Sequence, residues 1–441
     1  GAIRFAPVFN RGKLYFGSDD GNVYCLNAAN GSLTWKYRPS PRGERVIGNG
    51  RMISLWPVRT GLLLEGGTLF LAAGIFPYEG IYVAAIDAQT GREIWLNDTA
   101  GDQAWGHQYG GMAPQGYLVA SNENLFVPTG RGMPAAFDKR TGKFKKFLHA
   151  GGKVGGAWVQ VSGNELFAGN DNQGADTKIT FDAGSGANRG DQFANFPSID
   201  MLMTDGVAYL ATQKGLYAID RASNMKASTE VPKLNKEEAS LVKSIGEIRE
   251  RHKAAAKAGN NNDLAKVSAE LTQATGRLTA IAKEKEALNG ARVKWFASRE
   301  QLGPLAVAGE LGTMALSGQT LFAGGNGYVV SINADNGELL AIYGVKGMAM
   351  SLAVADERLF VSTDVGEIHC LGSQVSSKPV QRLTEKANPS ELAIPERDTA
   401  LEMSKRSGFS KGWCLIAGAL DGSLAKALAK ETEMNIVVIE H

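Results

Sequence analysis

The most unusual loops of this chain carry its best candidates for chemistry. "RPSPRGERVIGNGRMISLWPVRTG" (38–61) holds Arg42, Arg45, Arg51, Trp56 and Arg59, and "GDQAWGHQYGGMAPQG" (101–116) holds Trp105, His107 and Tyr109. Arginine beside tryptophan and tyrosine is the composition of binding surfaces: the guanidinium brings charge and directed donors, and the rings bring rigid apolar area. Clustered arginines suit an anionic ligand or partner. Connections this long inside a compact domain are usually functional or disordered. The alternative is that Trp56 and Trp105 plug an opening while the arginines pair with local carboxylates. No residue is assigned a catalytic or metal-ligating role.

Behind these loops stands a repeat. "GSDDGNVYCLNAANGSLTWKY" (17–37) reads as turn, strand, turn, strand, and "LFLAAGIFPYEGIYVAAIDAQTGREIWLN" (69–97) repeats it with Asp87-Ala88, Gly91 and Trp95 in the places of Asn27-Ala28, Gly31 and Trp35. Further copies lie at 125–147, 166–186, 208–223, 321–343 and 359–373. Each alternates apolar residues between Gly, Asn or Asp turns, at roughly the 40–50-residue spacing of four-stranded propeller blades. A single blade cannot bury both of its faces, so blades must pack on one another. The expectation is an all-β chain forming a seven- to eight-bladed β-propeller over residues 1–380. The two long loops then lead into innermost strands, on the same face as the turns holding Arg131 and Lys214. The funnel-face candidates are therefore Arg51, Trp56, Arg59, Trp105, His107, Tyr109 and Arg131.

The pattern Ala-x-x-Gly-x-x-x-Trp, complete at Ala28/Gly31/Trp35 and Ala88/Gly91/Trp95 and eroded at Ala334/Gly337/Ile342, resembles the tryptophan-docking repeat of the pyrroloquinoline-quinone-like propellers. That superfamily holds quinoprotein alcohol dehydrogenases and non-enzymatic outer-membrane assembly factors. The resemblance favours a periplasmic or extracellular location and leaves two functions open, a protein-binding scaffold and a quinone-dependent oxidoreductase. The oxidoreductases use a catalytic carboxylate, Ca²⁺ ligands and often a vicinal cysteine pair. This chain has no Cys-Cys and no Cys-x-x-Cys-His, and Asp19, Asp20 and Asp171 read as ordinary turn residues. The reading is a non-catalytic binding or assembly module, with no cofactor assigned.

Composition narrows the partners. With 47 basic against 45 acidic residues the net charge is +2, which gives no field for nucleic acid or a membrane surface. The apolar run near Leu69 to Phe76 is too short to span a bilayer. Gly1 leads straight into "AIRFAPVF", an innermost-strand pattern, so the expectation is a chain that starts inside a longer precursor. Three cysteines define no disulfide framework; Cys25 and Cys370 occupy equivalent places in the first and last copies and read as small buried side chains.

Two segments break the repeat. Residues 230–292 interrupt the fifth copy, where Leu241, Ile245, Ile248, His252 and Ala255, then Leu264, Val267, Leu271, Ala274, Leu278, Ile281 and Leu288, keep a coiled-coil seam. Helices are expected over 236–258 and 263–289, as an antiparallel hairpin between the third and fourth strands of its blade. His252 reads as a seam or rim residue, not a metal ligand. The hairpin is either an inert insertion or a docking arm for another protein.

The second break is a polar linker (381–393) and a strand-turn-helix-strand unit within 394–441. It resembles the first βαβ of S-adenosylmethionine-dependent methyltransferases, a partial Rossmann-like segment. The resemblance would put Gly418, Asp421 and Gly422 at the cofactor turn and Glu440 on the ribose, although Leu420 stands where that pattern has glycine. A propeller fused to such a methyltransferase is the second alternative function.

Overall fold

In this computed structural model the described residues are all except 49–50, 104–110, 131, 150–155, 170–177, 373–394, 418–421 and 440–441. The chain divides into two compact units, one of residues 1–147 with 376–441 and one of residues 148–375.

The first unit contains three four-stranded antiparallel sheets in chain order. The first blade is Val8–Asn10, Lys13–Gly17, Val23–Asn27 and Leu33–Tyr37; the second is Leu63–Glu65, Thr68–Ala73, Tyr82–Asp87 and Glu93–Asn97; the third is Val119–Ala120, Asn124–Val127, Ala135–Asp138 and Phe144–Phe147. Alternation along a strand sends neighbours to opposite faces, and both faces of the second blade are buried. Leu69 and Leu71 pack with Tyr15, Val23 and Cys25, whereas Phe70 and Ala72 pack with Leu125 and Phe137.

The second unit holds a fourth blade (Trp158–Ser162, Glu165–Gly169, Lys178–Asp182, Asn188–Asp191) and a fifth (Asp200–Met203, Val207–Thr212, Gly215–Asp220, Val293–Ser298). A five-stranded sheet follows: Leu311–Ser317, Thr320–Asn333, Leu339–Ala355, Arg358–Thr363 and Ile368–Gly372. Leu339–Ala355 pairs through its first half with Thr320–Asn333 and through its second half with Arg358–Thr363, so one continuous strand links the sixth and seventh copies. No long loop of the 38–61 kind separates these two copies, so the chain stays extended and joins them.

One turn chemistry recurs through the blades. Asp87, Asp138 and Asp182 each accept a hydrogen bond from the backbone N–H three residues on, at 2.7, 2.9 and 2.8 Å. Glycine then ends this single helical turn in the left-handed region, as at Gly91 (φ 74°) and Gly142 (φ 72°), where any side chain would be strained. In the fifth blade Asp220 makes the same bond to Ser223 N, 2.8 Å, but the glycine position is taken by Asn224. Nothing stops the helical turn there, and the chain runs on as α1 (Arg221–Lys257) and returns as α2 (Asn261–Gly290).

The first helix thus begins fifteen residues before its expected start at 236, and it continues through Pro232. The hairpin is antiparallel in its cross-links: Arg277 holds Glu237, Lys285 holds Glu238 and Arg251 holds Glu270. Ile245, Ile248, Val267 and Ile281 are buried along the seam, and His252 Nε2 lies 3.0 Å from Ser268 Oγ. No helix among the described residues is long and apolar enough to cross a membrane.

A one-turn helix, α3 (Pro304–Ala308), precedes the five-stranded sheet. At the C-terminal end α4 (Pro395–Ser407), the strand Lys411–Ala417, α5 (Ser423–Glu431) and the strand Glu433–Ile439 form a two-stranded parallel unit. Ala400, Ala427 and Leu428 cover one face with Cys414, Ile416 and Ile436, while Trp413 and Leu415 on the other face are exposed.

Candidate functional site

In the first unit three connections meet at one end of the blades. The loop 38–61 is not irregular throughout: Arg45–Gly48 and Arg51–Ser54 form a small antiparallel hairpin. Its far end, Thr60–Gly61, pairs in parallel with Gly116–Tyr117, which closes the second long loop. The third connection carries a short 3-10 turn, Pro77–Glu79, and the close approach of Gly101 and Gly111 to Pro77 leaves no space for a Cβ at either glycine. Trp56 fastens the first loop to this turn by donating Nε1–H to Glu79 O at 2.6 Å.

Trp56 is only 2% exposed and packs edge-on against Tyr82. Its side chain is core, and what it offers the surface is the Arg42 guanidinium lying 5.9 Å from its ring centre. Arg59 is similarly occupied. Its Nε donates to Asp19 at 3.2 Å, and Arg4 donates to both carboxylate oxygens, at 2.9 and 2.8 Å. Asp19 is 1% exposed, so this is a buried carboxylate held by two guanidiniums. Breaking such a pair from one side leaves an uncompensated charge.

Next to it Asp20 accepts from Tyr24 OH at 2.7 Å and from Asn22 at 2.9 and 3.1 Å. Burial alone would raise the Asp20 carboxyl, but the hydrogen bonds from Tyr24 and Asn22 outweigh it and hold the pKa at about 2. Burial, followed by the bond to Asp20, pushes Tyr24 up to about 12. Groups open to solvent at this end include Arg45 and a stacked aromatic pair, Phe76 and Tyr78, with ring centres 5.6 Å apart and exposures of 43% and 80%. Exposed aromatics with arginine have the composition enriched in binding surfaces.

The second candidate is the root of the helical hairpin, in the other unit. Arg221, the first residue of α1, donates to Glu165 Oε2 at 2.5 Å, to Ser162 Oγ at 2.7 Å and to Thr204 O, and lies over the Phe167 ring. One turn on, Asn224 is fully buried; its Nδ2 donates to Gln192 O at 3.0 Å and its Oδ1 accepts from Arg292 Nε at 2.8 Å. Arg292 is 3% exposed, also holds Asn289, and stacks on Phe196. Burial lowers the Arg292 pKa. A half-buried arginine, a buried arginine and a buried amide thus clamp both ends of the arm to the fourth and fifth blades.

The blades are also keyed to one another by tryptophan. Trp35 donates to Ala88 O, Trp95 to Lys139 O and Trp295 to Ala334 O, at 3.2, 3.2 and 2.8 Å, each reaching the following repeat. Each ring lies against the glycine of that repeat, Gly91, Gly142 or Gly337. A family described as outer membrane protein assembly factor BamB, of the quinone-type repeat class, matches residues 1–230 of the 441. The chain belongs to the BamB family.

Other similarities are narrower. Tetrathionate hydrolase of Acidithiobacillus ferrooxidans is 30% identical over 161 residues, 33% of this chain and 28% of that protein, so the chain spans under a third of that relative's length. Among solved structures, BamB from Moraxella catarrhalis is 13% identical with a TM-score of 0.44, covering 82% of each chain. The designed protein Ika8 is 10% identical with a TM-score of 0.42, covering 83% of this chain and 95% of its own. The BamB match ends before the C-terminal unit, and methyltransferase similarity finds no support in it.

Against this BamB-family frame, the residues singled out in the sequence fall into three groups. Trp56 and Arg59 come together at the loop-bearing end, as buried plug and carboxylate partner. Arg51 lies on the strand Arg51–Ser54. Trp105, His107, Tyr109 and Arg131 lie outside the described residues, as do Gly418, Asp421 and Glu440; Gly422 is the N-cap of α5, at φ 72°. Cys25 is buried, whereas Cys370 is exposed and not the small buried side chain expected of it. Sequence reading missed Arg4, Phe76, Tyr78, Arg221, Asn224 and Arg292. A usable signal existed for Asn224 alone, since it replaces the turn glycine of the repeat.

Proposed function

We propose that this chain is a non-catalytic β-propeller binding or assembly module whose helical hairpin is a docking arm. The observation that carries the reading is the root of the hairpin. Asp220 N donates to Arg292 O at 2.8 Å, the bond that Asp87 N makes to Arg92 O at 2.8 Å in an uninterrupted turn. The blade therefore closes around residues 221–291 as it would around four, and the contacts of Arg221, Asn224 and Arg292 hold the arm at a set angle to the fourth and fifth blades. At 1.5 Å per residue α1 is roughly 55 Å long. A slack insertion needs no such clamp; a stiff arm presenting charged helix faces does.

The open aromatics Phe76 and Tyr78 with Arg45 supply a second contact surface, on the other unit. Removing residues 243–272 and closing the gap with a short Gly-Ser turn tests the arm. The expected result is an unchanged melting temperature together with loss of proteins that co-purify with the intact chain. Identical co-purification by intact and trimmed chains would reject the arm as a docking element.

The competing reading is a quinone-dependent oxidoreductase. Among the described residues no three His, Cys, Asp or Glu side chains come together to hold a Ca²⁺ ion, so no step is derived through a quinone. Quinone- and Ca²⁺-dependent dye reduction by the purified chain would favour that reading over the module.

A further inference from the structure

Two buried polar groups of the second unit flank the same glycine and lack partners among the described residues. Tyr328, on the strand Thr320–Asn333, is 0% exposed and its hydroxyl meets no hydrogen-bond partner among them. Arg299 follows the strand Val293–Ser298; its Nη1 donates to Gly309 O at 2.7 Å and its backbone N–H to Lys214 O at 3.3 Å, while its buried Nε is unpartnered.

The two side chains are held in place from the same side. A Cβ on Gly309 would lie 3.0 Å from Cε1 of the Tyr328 ring, and one on Gly325 would lie 2.5 Å from Cζ. Glycine at both positions lets the backbone grip the ring, and the guanidinium grips the carbonyl of one of those glycines. An unpaired buried donor costs about 1–3 kcal/mol, so two about one glycine call for an acceptor.

The chemistry of the acceptor follows from the donors. A guanidinium cannot accept a hydrogen bond, and a protonated phenol has one to give. Burial raises the Tyr328 pKa and the Arg299 charge draws it down, so the raised group stays protonated near neutrality. Arg299 forms no ion pair among the described residues, and a water molecule would satisfy donors without compensating its charge. An anion does both, through charge-assisted bonds. We propose that Arg299 Nε and Tyr328 OH form a binding site for a small oxyanion of the carboxylate or sulfate type. Lys214, whose carbonyl Arg299 holds, lines an opening of about 190 Å³ on the neighbouring turn and adds a second positive charge at this end.

The test uses the full chain, with sodium formate and sodium sulfate titrated against sodium chloride at matched ionic strength. Thermal melting and titration calorimetry are expected to show saturable stabilisation by formate or sulfate and none by chloride. The anion that acts tells planar from tetrahedral ligands. Tyr328→Phe keeps the ring packing and removes one donor, and should weaken the response roughly tenfold, the loss of one charge-assisted bond. Arg299→Lys, which keeps charge but not Nε, should weaken it as well. A tyrosine that is merely structural would lower the melting temperature equally in all three salts, and that result overturns the site. So would a crystal structure in formate with Arg299 Nε bonded directly to Tyr328 OH, or with water alone between them.

Discussion

The indole of Trp295 lies against Gly337 of the following sheet so closely that a Cβ there would sit 2.7 Å from Cε3, while Nε1 donates to Ala334 O at 2.8 Å. Gly337 is also left-handed, at φ 77°. Two constraints thus fall on one residue, since a side chain would be strained by the backbone and would displace the ring. Gly337→Ala is expected to destabilise the second unit by about 2 kcal/mol, most of it the left-handed penalty. Trp295→Phe, which keeps a ring and loses the donor, should cost about 1 kcal/mol. Urea unfolding monitored by far-ultraviolet dichroism checks both.

At the loop-bearing end of the first unit, structural and binding roles are separable. Arg59→Ala leaves the buried Asp19 to Arg4 alone, and a loss of about 1–3 kcal/mol is expected. Tyr78→Ala removes an exposed ring, so the melting temperature should hold while partner binding weakens. The reverse pattern in melting and pull-down measurements would mean that Arg59 serves binding and Tyr78 serves folding.

The Asp20–Tyr24 bond sets a pH window. Asp20 titrates at about 2 in the folded chain against roughly 3.9 unfolded, so its contribution is complete above about pH 4 and is lost as pH falls through 2. Tyr24 titrates at about 12 against roughly 10 unfolded, so its contribution is complete below about pH 10 and is lost as pH rises through 12. The difference in melting temperature between the wild type and Tyr24→Phe should be constant from about pH 4 to 10 and shrink outside it. A difference that varies across the middle of that range would assign the effect to other groups.

The helical arm should split into a dispensable tip and an indispensable root. Removing 243–272 keeps the Arg277–Glu237 and Lys285–Glu238 cross-links and should leave stability unchanged. Asn224→Ala strips Arg292 Nε of its Asn224 partner and leaves Gln192 O with Ser228 Oγ, and about 1–3 kcal/mol should be lost. Equal losses from both changes, measured by calorimetry, would show that the tip also packs on the blades.

Much of this was legible in the chain itself, because the information is local. Alternating strands, Asp-x-x-x-Gly turns and the spacing from Ala28 to Gly31 to Trp35 are enforced by backbone geometry within a few residues. The helical seam around Ile245, Ile248, Val267 and Ile281 is local in the same sense. The start of α1 was not legible, since Arg221 to Asn235 is rich in Ser, Thr and Asn and holds Pro232; those residues are helical because Arg221 and Asn224 bond to segments that precede them by some thirty to sixty positions.

The sequence by itself determined that a repeat with turn glycines and tryptophans builds this protein, and that loops rich in arginine and aromatics interrupt it. Only the tertiary structure decided which partner each of those residues meets. The tryptophan of one repeat docks on the glycine of the next, Trp56 turns inward, Arg59 closes on Asp19, and Phe76 with Tyr78 is left facing solvent. Each outcome depends on burial and on contacts between segments tens of residues apart, and spacing along a chain does not encode which of two equally polar or equally aromatic side chains the packing will cover.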